Sequence, residues 1–127
     1  VYYGGPVMNN VVGVLHSTEY TLSSTNTLAE GNVGFTLDRK MLEVIARGEG
    51  PKNMMITLGM ANWTAGQLEE EMEHPRNPAM SWLVMDYDEK FVFGQLDDDK
   101  PDDLWESCVS QAIRAKTREI TSKVFKD

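Results

Sequence analysis

The sequence predicts an α+β domain built on a mixed sheet, and three observations carry that prediction. The chain has 127 residues, 41% of them hydrophobic and 9% aromatic, the length of one domain with apolar content for one core. After residue 33, β-rich runs alternate with amphipathic helical runs, as in α/β units. Before it, extended segments follow one another with no helix between them, which favours a mixed sheet over a purely parallel one.

Val11-Val12-Gly13-Val14-Leu15-His16 is a β-rich apolar run and reads as a buried strand. Ser17 to Asn32, rich in Ser, Thr and Asn, reads as a loop. Val33 to Phe35 reads as a short strand leading into a helix capped by Thr36 or Asp38. Leu37, Met41, Leu42 and Ile45 share one face of that helix by spacing. Gly48, Gly50 and Pro51 then stop it.

Met54 to Leu58 reads as the next strand, ending at Gly59. Asn62 or Thr64 caps a second helix, which carries Gln67, Leu68, Met72 and four glutamates and stops at His74-Pro75. Ser81 to Met85 reads as a strand, and Glu89 to Gly94 as a further extended segment. Pro101, with Asp102, Asp103 and Glu106 near the positive helix end, starts a third helix. Leu104, Trp105, Cys108, Val109, Ala112 and Ile113 give it a wide apolar face. From Arg114 onward the anchors are Ile120, Val124 and Phe125, so the segment reads as a helical extension or a frayed tail.

The net charge of −8 is unevenly spread. Residues 64–106 hold 13 acids and 3 bases, net −10, whereas residues 114–127 hold 5 bases and 2 acids, net +3. An acidic body repels a phosphate backbone, which argues against broad nucleic-acid binding. No apolar run approaches the ~20 residues of a membrane helix, and no signal peptide is visible at Val1-Tyr2-Tyr3-Gly4. Val1 is not an initiator methionine, so the chain is read as having lost its start. Cys108 is the single cysteine, which excludes an internal disulfide and suits a reducing cytoplasm.

Four motifs, in order, resemble those of the AlgH (YqgE-type) family. Val1-Tyr2-Tyr3-Gly4-Gly5-Pro6-Val7 is similar to its hydrophobic-Gly-Gly-Pro-Val segment, and Val14-Leu15-His16 to its strand ending in Leu-His. Leu42 to Pro51 resembles its helix ending in Gly-x-Gly-Pro. The most specific match is Leu58-Gly59-Met60-Ala61-Asn62-Trp63-Thr64-Ala65-Gly66-Gln67-Leu68-Glu69, similar to the family's Gly-Tyr-Ala-Gly-Trp-x-x-Gly-Gln-Leu-Glu signature. Met60 stands where the family usually has Tyr, and Asn62 where it has the second Gly. The resemblance runs from Val1 to about Trp105, without the strand-and-helix portion that normally precedes Gly-Gly-Pro-Val.

The resemblance implies a mixed sheet curled toward a partial barrel, with about three helices packed outside. It implies a domain over residues 1–113, followed by a basic tail or helical extension over 114–127. A sheet lacking its opening portion exposes an edge, and exposed edges invite pairing, so a homodimer through that edge is expected.

Candidate ligand residues are Gly4, Gly5, His16, Trp63 and Gln67. Glycines let backbone N–H groups approach a ligand, although Gly4-Gly5-Pro6 reads more simply as a tight strand-exit turn. Gly59 to Gly66 feeds a helix N-terminus, a place that can hold an anion; there Trp63 would wall a pocket and Gln67 would hydrogen-bond its ligand. The simpler reading makes Trp63 a core anchor and Gly66 a helix-packing residue. His16 has no visible partner for nucleophilic chemistry and reads as structural, and Cys108 reads as a buried, inert thiol.

No metal or cofactor is expected. In the run Asp97-Asp98-Asp99, Pro101 and Asp102 stand where a calcium loop needs an oxygen ligand and a glycine. Asp86 and Asp88 fail the same test with Phe91 at the glycine position, and His16, His74 and Cys108 lack zinc spacing. The favoured function is a non-enzymatic cytoplasmic binding or regulatory module with an unidentified protein partner. The alternative is a small-molecule or anion binder, or an enzyme, using a crevice near Gly4, His16 and Trp63. A transcriptional regulator is disfavoured by acidic charge and the lack of a helix-turn-helix pattern.

Overall fold

The architecture is given by a computed structural model, which describes residues 1–76, 81–94 and 101–124. The Asp97-Asp98-Asp99 run, the side chains of Asp102 and Asp103, and Phe125 fall outside the described residues. The chain divides into two compact units, Val1–Asn62 and Trp63–Asp127.

The first unit is a five-stranded mixed sheet that does not close into a barrel. Its strands are β1 (Tyr2–Tyr3), β2 (Val7–Ser17), β3 (Asn26–Leu28), β4 (Val33–Thr36) and β5 (Met54–Met60), in spatial order β1-β5-β2-β4-β3. The β1–β5 pair is parallel and the other pairs are antiparallel. The helix α1 (Arg39–Ala46) lies between β4 and β5 in sequence. The expected strand at Val11–His16 is present and longer, because the pairing to β5 already begins at Val7↔Met60. Between that pair and Val12↔Leu58, β2 advances five residues while β5 advances two. Such a bulge bends a strand, and Met8 inside it takes a left-handed φ of 50°.

The expected loop over Ser17–Asn32 contains β3, which pairs with β4. The connection between them uses left-handed φ at Ala29, Glu30 and Gly31, at 51°, 56° and 87°. Hairpin turns favour this conformation, but Asn and Gly are the residues that usually signal it. Ala29-Glu30 carries no such signal, which is why the strand was not legible.

Helix α1 begins where Asp38 caps it, its carboxylate accepting from the Lys40 N–H at 2.9 Å. That bond, with one from the Ser24 hydroxyl, holds the Asp38 carboxyl below its usual range. The cap fixes the phase of the buried face at Met41 and Val44, three residues apart. Leu37, expected on this face, precedes the cap and is exposed. The core of this unit is Val14, Val33, Met41 and Val44, with His16 and Thr36 buried among them.

The second unit is helical, with α2 (Gln67–Glu73), α3 (Glu89–Val92) and α4 (Pro101–Val124). Two expectations are corrected here. Ser81–Met85 forms no strand and is mostly exposed; β-propensity makes a strand only where another strand takes up the backbone groups, and this run instead lines a groove with α4. The expected extended segment at 89–94 is the helical turn α3. Asp88 caps it through the Lys90 N–H at 2.9 Å, which overrides the β-propensity of Phe91 and Val92. Helix α4 begins at Pro101 as expected and continues unbroken past Arg114 to Val124.

Candidate functional site

The Gly-Gly-Pro segment is a strap across the end of β5. Strand β1 pairs with one side of β5 and β2 with the other, so Gly4-Gly5-Pro6 carries the chain across β5 at Gly59–Met60. The Gly4 N–H donates to the Leu58 carbonyl at 2.8 Å. A Cβ on Gly4 would stand 2.2 Å from the Gly59 carbonyl oxygen, one on Gly5 2.3 Å from the Met60 carbonyl carbon, and one on Gly59 2.2 Å from the Gly5 carbonyl oxygen. Gly5 and Gly59 also take φ of 150° and 78°, where L-residues are strained. Backbone packed on backbone thus occupies the face of these glycines that a ligand would use.

His16 lies at the other end of β5, opposite Met54. Six residue steps separate Met54 from Met60, about 20 Å along a strand, so the first unit does not bring Gly5 and His16 together. The imidazole is fully buried, and both of its nitrogens are occupied. Nδ1 meets the Ser17 carbonyl at 2.8 Å, and a carbonyl only accepts, so Nδ1 carries the proton. In the neutral ring Nε2 then accepts from the Thr36 hydroxyl at 2.8 Å. Thr36 in turn accepts from Thr25 at 2.7 Å, and Thr25 accepts from the Leu22 N–H at 2.9 Å. The hydrogen-bond chain therefore runs from the Leu22 N–H through Thr25, Thr36 and His16 to the Ser17 carbonyl. Gly34 faces the ring across the β2–β4 pair, and a Cβ there would lie 2.6 Å from His16 Cε1. Sequence reasoning missed Thr25 and Thr36, because their meeting with His16 depends on strand register.

Beside this chain, the Ser17 hydroxyl donates to Glu19 at 2.9 Å, and the Lys52 N–H donates to the same carboxylate. Burial pushes the Glu19 carboxyl up, but the bonds from Lys52 and Ser17 outweigh it and hold the group below its ordinary range.

Trp63 and Gln67 belong to the second unit. Gln67 Oε1 accepts from the Thr64 N–H at 3.0 Å and the Thr64 hydroxyl at 3.3 Å. The N-cap of α2 is Gly66, with no side-chain cap bond, so the expected cap at Asn62 or Thr64 is not formed; the Gln67 amide oxygen instead folds back onto the Thr64 turn that precedes the helix. Gly66, at a φ of 81°, is the residue that turns into the helix. Trp63 donates its indole N–H to Glu71 at 3.2 Å, which puts a carboxylate beside the turn proposed for an anion. Its ring meets Trp82 edge-on, with centroids 5.8 Å apart at 70°.

A groove of about 440 Å³ lies between the Ser81–Met85 run and α4, lined by Trp82, Leu83, Met85, Trp105, Cys108 and Ala112. Cys108, expected to be buried, is half-buried in its wall. The spacing of Trp105 and Cys108 marks a helix face, but nothing local marks the groove, because the β-propensity of Ser81–Met85 predicts a strand there. Among the described residues there is no group of three or more His, Cys, Asp or Glu placed to hold a metal ion. No helix among them is long and apolar enough to cross a membrane.

Comparison with known proteins agrees with the motifs. The profile described as DUF179, AlgH-like, matches residues 1–115. A UPF0301 protein from Ralstonia nicotianae is 43% identical over 93 residues, covering 73% of this chain and 46% of that protein. One from Rickettsia akari is 38% identical over 111 residues, covering 86% of this chain and 52% of that protein. The solution structure of the AlgH protein from Pseudomonas aeruginosa superposes with a TM-score of 0.67 at 32% identity, covering 87% of this chain and 52% of that one. The chain thus spans about half the length of these relatives. With the strap, the Leu-His strand and the Trp-x-x-Gly-Gln turn all inside the matched span, this chain belongs to the AlgH-like family.

Proposed function

We propose that the protein is a non-enzymatic binding or regulatory module that works through protein contacts, with β1 as the docking edge. The observation that carries this reading is the outer strand itself. Tyr2 and Tyr3 are 46% and 78% exposed, on a two-residue strand at one edge of the sheet among the described residues. Val7, Met8 and Leu58 add exposed apolar surface from the neighbouring strands. An edge of this kind accepts an extended peptide through backbone hydrogen bonds, with the aromatic side chains adding contact area. A second copy of this chain, paired edge to edge, is one such partner.

The test is capture from a native cytoplasmic extract by the wild type and by Tyr3→Pro, whose proline removes a ladder donor. Specific capture by the wild type alone, with both proteins giving the same circular dichroism, supports the reading. Equal capture by both, or none by either, contradicts it.

The groove beside Trp82 favours a second reading, a small-molecule binder. Its volume and aromatic, apolar lining suit a flat apolar ligand. A thermal-shift screen in which a hit disappears in Trp82→Ala supports that reading, and hits that survive the substitution contradict it.

A further inference from the structure

We propose that α4 is a self-association helix, pairing antiparallel with α4 of a second copy of this chain. The inference does not depend on docking at β1, which belongs to the other unit.

Helix α4 is 24 residues long, about 36 Å at 1.5 Å per residue. Trp105, Val109, Ile113, Thr117, Ile120 and Val124 follow one another at steps of four, four, four, three and four. At 100° per residue they share an arc of about 120°, the width of a helix-packing face. On that face Trp105 is 71% exposed, Ile113 53%, Ile120 54% and Val124 68%; Val109 is half-buried at the groove, and Glu106, Lys116 and Lys123 share the same arc. Leaving such a stripe in water forgoes the burial that stabilises most helices.

Charge identifies the occupant. Residues 101–113 carry Asp102, Asp103 and Glu106 and no base, net −3. Residues 114–124 carry Arg114, Lys116, Arg118 and Lys123 against Glu119, net +3. The two halves of the helix are therefore equal and opposite. A parallel pair sets like charge on like along its whole length, whereas an antiparallel pair sets each acidic half against a basic one.

Part of the apolar pattern fits the same arrangement. With the two-fold axis between Arg114 and Ala115, Trp105 faces Val124 of the second copy and Val109 faces its Ile120, while Ile113 faces the stem of its Lys116 and Glu106 faces its Lys123. Glu119 already meets Lys116 at 3.8 Å and Lys123 at 3.1 Å within one helix, so the facing charges set direction more than affinity.

The experiment is sedimentation equilibrium of the full chain over a concentration series at low and high salt. The expected result is a reversible monomer–dimer equilibrium that weakens with salt. It should shift at least tenfold toward monomer in Ile120→Glu, an exposed position where circular dichroism is expected to stay unchanged. Glu106→Lys alone should weaken the dimer, and adding Lys123→Glu should restore it, because facing charges are again opposite only in the antiparallel pair. Three results would overturn the proposal: a wild-type monomer at every concentration, a dimer indifferent to Ile120→Glu, or a dimer lost in Tyr3→Pro instead.

Discussion

The two units differ in how far they satisfy themselves. In the sheet unit, each sequence-predicted candidate is engaged internally: Gly4 and Gly5 pack backbone on backbone, and His16 closes a chain of hydrogen bonds. In the helical unit, Trp82, Leu83, Val84, Trp105, Ile113, Ile120 and Val124 all remain exposed. Among the described residues its buried hydrophobic side chains are Phe93 and Ala112, against four in the sheet unit. The contrast separates residues that hold the fold from those free to meet something else, and most of the family motif belongs to the first group.

Substitutions in the sheet unit should break this contrast first. Gly5→Ala places a Cβ inside the Met60 backbone at a φ unsuited to alanine, and should cost on the order of 3 kcal/mol in chemical denaturation. Thr36→Val removes the donor to His16 Nε2 and strands it in the core, at about 1–3 kcal/mol; Thr36→Ser should recover most of the loss. Glu30→Gly relieves a left-handed φ of 56°, and should raise stability by about 0.5–1 kcal/mol after glycine's own entropy cost.

Glu19 supplies a pH-dependent arm. Its folded pKa lies below its unfolded value, so its stabilisation is present above the ordinary glutamate value of about 4.3 and is lost as pH falls through the folded value. Glu19→Gln should therefore be less stable than the wild type near neutrality, and the gap should close in acid. In the helical unit, Ile120→Glu should change the stability of the dilute protein by under about 0.5 kcal/mol, the smallest effect expected here.

The sequence was informative where local chemistry decided the outcome. The Val11–His16 strand, the Asp38 cap, the Gly-Gly-Pro turn and the Pro101 helix start each rest on a few neighbouring residues. It was silent where the outcome depended on pairing. No local signal tells that Thr36 meets His16, that Gly59 lies under Gly5, or that Ser81–Met85 goes without a sheet. Pairing also decides where the candidate ligand residues lie: Gly5 and His16 are eleven positions apart in sequence, but register places them at opposite ends of β5. Gln67 was singled out as a ligand donor, but its amide oxygen accepts from Thr64 in the turn before α2.

The most direct test of the contrast between units is residue-resolved hydrogen exchange at several protein concentrations. Amides of β2, β4 and β5 should be protected equally at every concentration, because their partners lie within the sheet. Amides of α4 around Ile113 and Ile120 should exchange fast in dilute protein and slow as concentration rises. Protection of α4 that is high and independent of concentration, or a sheet no better protected than α4 on dilution, would contradict the account.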